Sequence, residues 1–282
     1  MKITIHYACL ACIISSLSLS AFAQGVMITN DPVPPAPSAL LQALGLGTGE
    51  GNVLFDGEFK YIISEQGDPP ASGDGTRMMW YPDKAAFRAG SVYGNSWNKD
   101  MIGEFSFAAG QSPMASGAKA VALGSLNNAT GAHSFALGYQ TNATGFNSFT
   151  FGRISEASGN YSTAWGSYST ATGDYSTAWG STTTAAGDNT TVWGQSTEAP
   201  SLLETVFGRF NTIYTPSGGA ENWSPADRLF VIGNGTSTTS RSDAFVLMKS
   251  GDVGIGVSAP DARLHIRYNS YTGTGHLLGQ AR

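Results

Sequence analysis

Glycine falls at positions 110, 117, 124, 131, 138, 145, 152, 159, 166, 173, 180, 187 and 194, every seventh residue without a gap. It returns at 208, after Ser201 stands where the next one is due. No other feature of the 282-residue chain restricts its fold as strongly, because a fixed period must be read as a repeat before any element is assigned. The glycines are of two kinds, so the true period is fourteen. One kind follows a large apolar residue: Leu123, Leu137, Phe151, Trp165, Trp179, Trp193 or Phe207. The other follows a small one: Ser116, Thr130, Thr144, Ser158, Thr172 or Ala186. Alanine holds 115, 129, 143, 157, 171, 185 and 199 at a constant phase.

Helical hairpins and propeller blades use longer units. A fourteen-residue unit with two glycines suits two short strands and two turns, one coil of a β-solenoid whose coils stack at ~4.8 Å. About seven coils fit between residues 106 and 208. Glycine supplies the positive φ of a tight corner, so Gly124, Gly131, Gly138, Gly145, Gly152, Gly159, Gly166, Gly173, Gly180, Gly187 and Gly194 are read as coil-turn glycines. Alternation along a strand sends Ser162 and Ala164 to one side and Thr163 and Trp165 to the other. So short a coil encloses a narrow lumen, which the small residues fit, and the large residues therefore point outward. Monomers rarely expose a contiguous apolar ladder, and the expected cover is other copies of the chain. Leu123, Leu137, Phe151, Trp165, Trp179, Trp193 and Phe207 are accordingly expected at a self-association interface. The opposing geometry is a wider monomeric β-helix with the tryptophans inside.

The repeats "SFALGYQTNATG" and "YSTAWGSYSTATG" resemble the YadA-like head repeat of trimeric autotransporter adhesins, of form S-x-A-[IL]-G-x-x-x-x-A-x-G. The resemblance covers about residues 103 to 210. It implies an all-β, left-handed parallel β-roll assembled as a homotrimer, with the large apolar positions at the threefold interface. Two departures stand out: tryptophan replaces Ile or Leu, and no heptad run or barrel strand is read, so the family's usual stalk and membrane anchor are not expected in this sequence. Residues 227–266 are similar to segments that follow such heads in bacterial surface proteins and in tail-fibre-like proteins. On their own pattern, "RLFVIG", "AFVLMK" and "VGIGV" read as paired strands.

The first residues, MKITIHYACLACIISSLSLSAFAQ, combine a basic start, a short apolar run and Ala21-Phe22-Ala23, the pattern of a secretory signal peptide cut before Gln24. A membrane span needs ~20 apolar residues, more than this run holds, and a lipoprotein reading would use Cys12. Both cysteines, Cys9 and Cys12, lie in this leader, so no disulfide or thiol chemistry is expected in the mature chain. Removing Lys2 with it leaves 14 basic against 20 acidic side chains, a formal charge of −6, without the basic footprint of a nucleic-acid binder. The expected organisation is a signal peptide (1–23), a Pro/Gly/Ala-rich leader (24–51), a small β-rich cap (52–102), the roll (103–210) and a β-rich C-terminal segment (211–282). Within the cap, "NVLFDGEFKYII" and "TRMMWYPDKAAFRAG" carry the strand-forming composition.

Chemistry-bearing patterns are sparse. Gly254-x-Gly256-x-x-Ala259 loosely fits a dinucleotide loop, but Pro260 follows where a helix is required, and a strand and turn are expected instead. The histidines lack metal-ligand spacing, and His133 is placed facing solvent or the trimer rim. Asp68, Asp74 and Asp83 lie in a Gly/Pro-rich loop whose spacing matches no calcium loop. Asp174 and Asp188 share a phase and read as solvated turn residues. Residues 106–203 hold six charged side chains, too few to suggest the paired acid and base of an active site. No catalytic residue, cofactor or metal site is expected. The sequence thus points to an exported, non-enzymatic surface protein, adhesin-like by resemblance, meeting a protein or glycan ligand. The rival readings are a purely structural fibre or spacer module and a tail-fibre-like carbohydrate binder.

Overall fold

The computed structural model describes residues 57–267. They form an all-β parallel solenoid with short β-rich additions at each end. Two sheets make its walls: a 14-stranded sheet holding every five-residue repeat strand, and a 7-stranded sheet of two-residue strands. In one coil, Thr177–Ser181 crosses the first wall and Thr184–Ala185 the second. The register repeats: Trp165 pairs with Trp179 and Trp179 with Trp193, while Ala171 pairs with Ala185 and Ala185 with Ala199, all in parallel.

The lumen is filled by the smallest side chains of the repeat. Ala122, Ala136, Ala164 and Ala178 from the long strands and Ala129, Ala143, Ala157, Ala171, Ala185 and Ala199 from the short ones are fully buried. Hydroxyls line the rest, and some bond to carbonyls that turn inward: Ser162 Oγ donates to Gly159 O at 2.6 Å, and Ser169 Oγ to Gly180 O at 3.1 Å. These bonded hydroxyls find partners without widening the coil, whereas Ser134, Ser148 and Ser176 Oγ, in the same column as Ser162, make no hydrogen bond. Leucine at Ala164 would overfill this space, at a cost of about 3 kcal/mol, and thermal unfolding of Ala164→Leu should show that loss whether or not the chain associates.

The two kinds of glycine act differently from the corner role read in the sequence. Gly124, Gly138, Gly152, Gly166, Gly180 and Gly194 do have positive φ, between 117° and 140°, but they lie inside the long strands. Gly131, Gly145, Gly159, Gly173 and Gly187 open the turns and are not among the positive-φ residues. The left-handed corners are held by non-glycine residues two positions after a glycine, such as Tyr168 at φ 57°, Tyr175 at 58° and Thr182 at 58°. Close approach is the physical reason: a Cβ on Gly173 would stand 2.1 Å from the Gly187 carbonyl oxygen, and one on Gly180 2.0 Å from that of Gly194.

At the start of the roll, Gly75–Tyr81 and Ala86–Val92 form an antiparallel hairpin whose second strand pairs in parallel with Phe107–Gln111. This is the strand content expected from "TRMMWYPDKAAFRAG". The expected strand in "NVLFDGEFKYII" is not found in its described part, which is irregular up to a 3₁₀ turn at Ile63–Glu65; residues 52–56 of it lie outside the described residues, as do the signal peptide and leader. Arg88 takes the lumen position next to Ala108 and closes that end. Its guanidinium donates to Ser106 Oγ at 2.8 Å and to the Ala115 carbonyl at 3.0 Å, and burial lowers its pKa to about 10. At the other end Arg228–Asn234 pairs in parallel with Thr205–Arg209, after which Asp243–Met248 and Val253–Ile255 follow antiparallel. The strands read in 227–266 are therefore present, and Gly256 at φ 67° makes a turn after Val253–Ile255.

Candidate assembly face

The outward side of the 14-stranded sheet carries two columns of side chains. In the first, Leu123, Leu137, Phe151, Trp165, Trp179, Trp193 and Phe207 are direct neighbours through the sheet register. Trp165, Trp179 and Trp193 are 44%, 42% and 50% exposed, whereas the alternate residues Ala164, Ala178 and Val192 are at 0%. Within the single chain the tryptophans thus stand outside the lumen, against the wider-helix geometry.

The ladder does not stop with the repeat. Phe207 pairs with Ile232, Ile232 with Phe245, Phe245 with Ile255, and Ile255 with Ile266. Sequence reasoning missed these four because the spacing changes from fourteen to 25, 13, 10 and 11 residues and two pairings turn antiparallel. Only sheet register exposes the continuity.

The second column runs beside it through Phe107, Val121, Phe135, Phe149, Thr163, Thr177, Thr191 and Thr205. Bulk is exchanged between the two. Phe107 accompanies Ala109 and Phe135 accompanies Leu137, whereas Thr163, Thr177 and Thr191 accompany tryptophans. Phe149 beside Phe151 is large in both columns, so the exchange of bulk holds in the tryptophan coils and not in every coil. The tryptophan rings stack at 4.9 Å between centroids with planes 3° apart. Their faces are covered by one another and their edges point outward, alongside uncharged threonines.

A second aromatic series lies at the corners, where Tyr161 and Tyr175 stack at 4.9 Å and Phe146 meets Tyr161 edge-on. Beside it, Asp188 Oδ1 accepts the Asp174 N–H and Asp174 Oδ1 the Asn160 N–H, both at 2.8 Å. Asp174 and Asp188 therefore continue the intercoil hydrogen bonding around the turn, a more specific role than the solvated turn expected of them. His133 lies at a corner, 5.4 Å from the Phe146 ring. In the cap loop, Asp83 accepts the Gly67 N–H at 2.7 Å and Asp74 the Gly94 N–H. These two carboxylates brace separate backbone turns, and no group of three metal-ligating side chains occurs among the described residues.

With coil geometry and outward ladder in place, the comparison with known families is direct: three consecutive segments, 115–141, 143–169 and 171–195, match the YadA head domain repeat (2 copies). Residues 115–195 are thus similar to the YadA head repeat. The matched segments end at 195, while the same sheet register runs on in both directions, to Phe107–Gln111 and to Thr205–Arg209. The chain as a whole finds no match among curated proteins. No helix of the described residues is long and apolar enough to cross a membrane.

Proposed function

We propose that the chain is an exported, cell-surface adhesin head that assembles as a homotrimer, three left-handed rolls packed through the aromatic face. The observation that carries the reading is the outward ladder from Leu123 to Phe207, apolar at every step. Burying each large apolar side chain contributes roughly 1.5–3 kcal/mol, and the gain is collected at every coil. A second copy in register presents the same period, so all steps are covered at once. The stacking geometry favours a protein partner over a carbohydrate on this face, because a sugar ring packs on an aromatic face and the faces of Trp179 are already covered by Trp165 and Trp193. Attachment to a ligand then falls to the outer walls, with residues 1–23 as the export signal, 24–51 as a spacer, and no catalytic step. Support for a binding role without chemistry comes from the six charged side chains in residues 106–203.

Sedimentation of the chain from Gln24 onward tests the assembly, and surface fractionation of cells carrying an epitope-tagged chain tests the location. A trimer at micromolar concentration with its tryptophans shielded from a soluble quencher is expected, together with tag at the cell surface. A monomer whose tryptophans are freely quenched would overturn the assembly, and a tag confined to the cytoplasm would overturn the adhesin reading.

A further inference from the structure

The end of the roll breaks the repeat at two linked positions. Ser201 replaces the turn glycine, and Glu204 replaces the hydroxyl that faces the lumen at Ser162, Ser176 and Thr190. Thr190 Oγ1 donates to the Gly187 carbonyl at 2.7 Å; a carboxylate cannot make that bond. Glu204 is nevertheless fully buried. Its Oε2 accepts the Tyr214 hydroxyl at 3.1 Å and the Ser201 N–H at 3.3 Å, while Oε1 has no partner.

Two cations stand close, and each is engaged elsewhere. The Arg228 guanidinium donates to Thr212 O and Oγ1, at 2.8 and 2.7 Å, and lies 3.7 Å from Asp243. Lys249 Nζ donates to Ser201 Oγ at 3.1 Å and lies over the Trp223 ring. The remaining anion, Asp227, accepts the Ser217 and Gly218 N–H groups. Glu204 is thus a fully buried carboxyl group without an ion pair, and an unpaired buried charge is costly. Its neutral form places the proton on Oε1, because Oε2 already accepts two hydrogen bonds.

The same site is also a joint. Tyr214 donates to Glu204 and accepts the Arg228 N–H at 3.1 Å, and the Asp188 N–H donates to the Ala220 carbonyl at 2.9 Å. The segment from Asn211 to Asp227 is held against the last coil of the repeat by these contacts. We propose that Glu204 is a proton-operated latch: its neutral carboxyl holds the 211–227 segment against the last coil, and loss of that proton loosens the contact.

Burial raises the Glu204 pKa to about 7, opposed by Arg228 and by the hydrogen bonds from Ser201 and Tyr214. The closed state therefore holds the proton over a range in which an opened, hydrated glutamate has lost it. The stabilisation is complete below the ordinary glutamate pKa and is lost as pH rises through about 7. One proton separates the two states in that window, so the opening equilibrium should grow about tenfold per pH unit between pH 5 and 7 and level off above.

Amide hydrogen exchange of the full mature chain, corrected for the intrinsic effect of pH, reads this directly. Protection of 211–228 should fall about a hundredfold from pH 5 to pH 7, while the coils of 121–199 keep theirs. Glu204→Gln should remove the slope and leave the segment better protected than wild type at pH 7.5. Tyr214→Phe deletes a donor that favours the ionised form and should carry the slope to higher pH. The same slope in Glu204→Gln would overturn the latch. So would pH-independent protection of 211–228 in the wild type, whatever the variants do.

Discussion

Gly180→Ala should cost about 4 kcal/mol or more, in the range that marks a specific structural fault, although it adds a single methyl group. Two effects act together. At φ 138° the residue occupies a region that side chains rarely adopt, a strain of order 1–3 kcal/mol. The new Cβ would also stand 2.0 Å from the Gly194 carbonyl oxygen, which the parallel ladder between Thr177–Ser181 and Thr191–Gln195 holds in place. Relief requires the coils to part, and in a solenoid each coil is supported only by its neighbours. Thr182→Gly is the matched control. Thr182 is exposed at a left-handed corner with φ 58°, where glycine relieves about 1–2 kcal/mol of steric strain and gives back about 0.5–1 kcal/mol in chain entropy. Urea unfolding should place the corner variant within about 1 kcal/mol of wild type, the difference between those two opposing effects. A mild Gly180→Ala beside a severe Thr182→Gly would return the glycines to the corners.

That contrast also shows what could be read from the sequence. Period, strand alternation and the inward alanines were legible, because a constant phase leaves the small residues one place to go. The role of the glycines was not: a φ requirement and a close-approach requirement both select glycine, and only the distance to the next coil separates them. The left-handed corners were hidden for a related reason, since Tyr168, Tyr175 and Thr182 are not residues that advertise a positive φ. The ladder was legible from Leu123 to Phe207, where spacing is constant, and illegible at Ile232, Phe245, Ile255 and Ile266, where it is not. Glu204 lies one residue beyond the charge-poor stretch 106–203. Its phase, fourteen after Thr190, was the available signal, but burial of a carboxyl there depends on the 211–227 segment, whose Tyr214 packs on it.

Trp179→Asp should abolish or strongly weaken the proposed trimer while leaving the coil folded. In the single chain Trp179 is 42% exposed, so an aspartate there can remain hydrated and the fold loses mainly the stacking on Trp165 and Trp193. In the trimer the same change removes three large apolar side chains from the interface, roughly 5–9 kcal/mol at 1.5–3 kcal/mol each. It also brings three carboxylates into a dry contact, where unpaired charge adds a further cost. At about 1.4 kcal/mol per decade, the first loss alone weakens association by roughly three to six decades. Thr184→Asp, on the opposite sheet, places the same charge on the other wall and should leave sedimentation unchanged. Ultracentrifugation of the two variants beside wild type separates an interface effect from a general effect of charge. A Trp179→Asp protein that still sediments as a trimer would place the interface elsewhere and leave the aromatic face for a different partner.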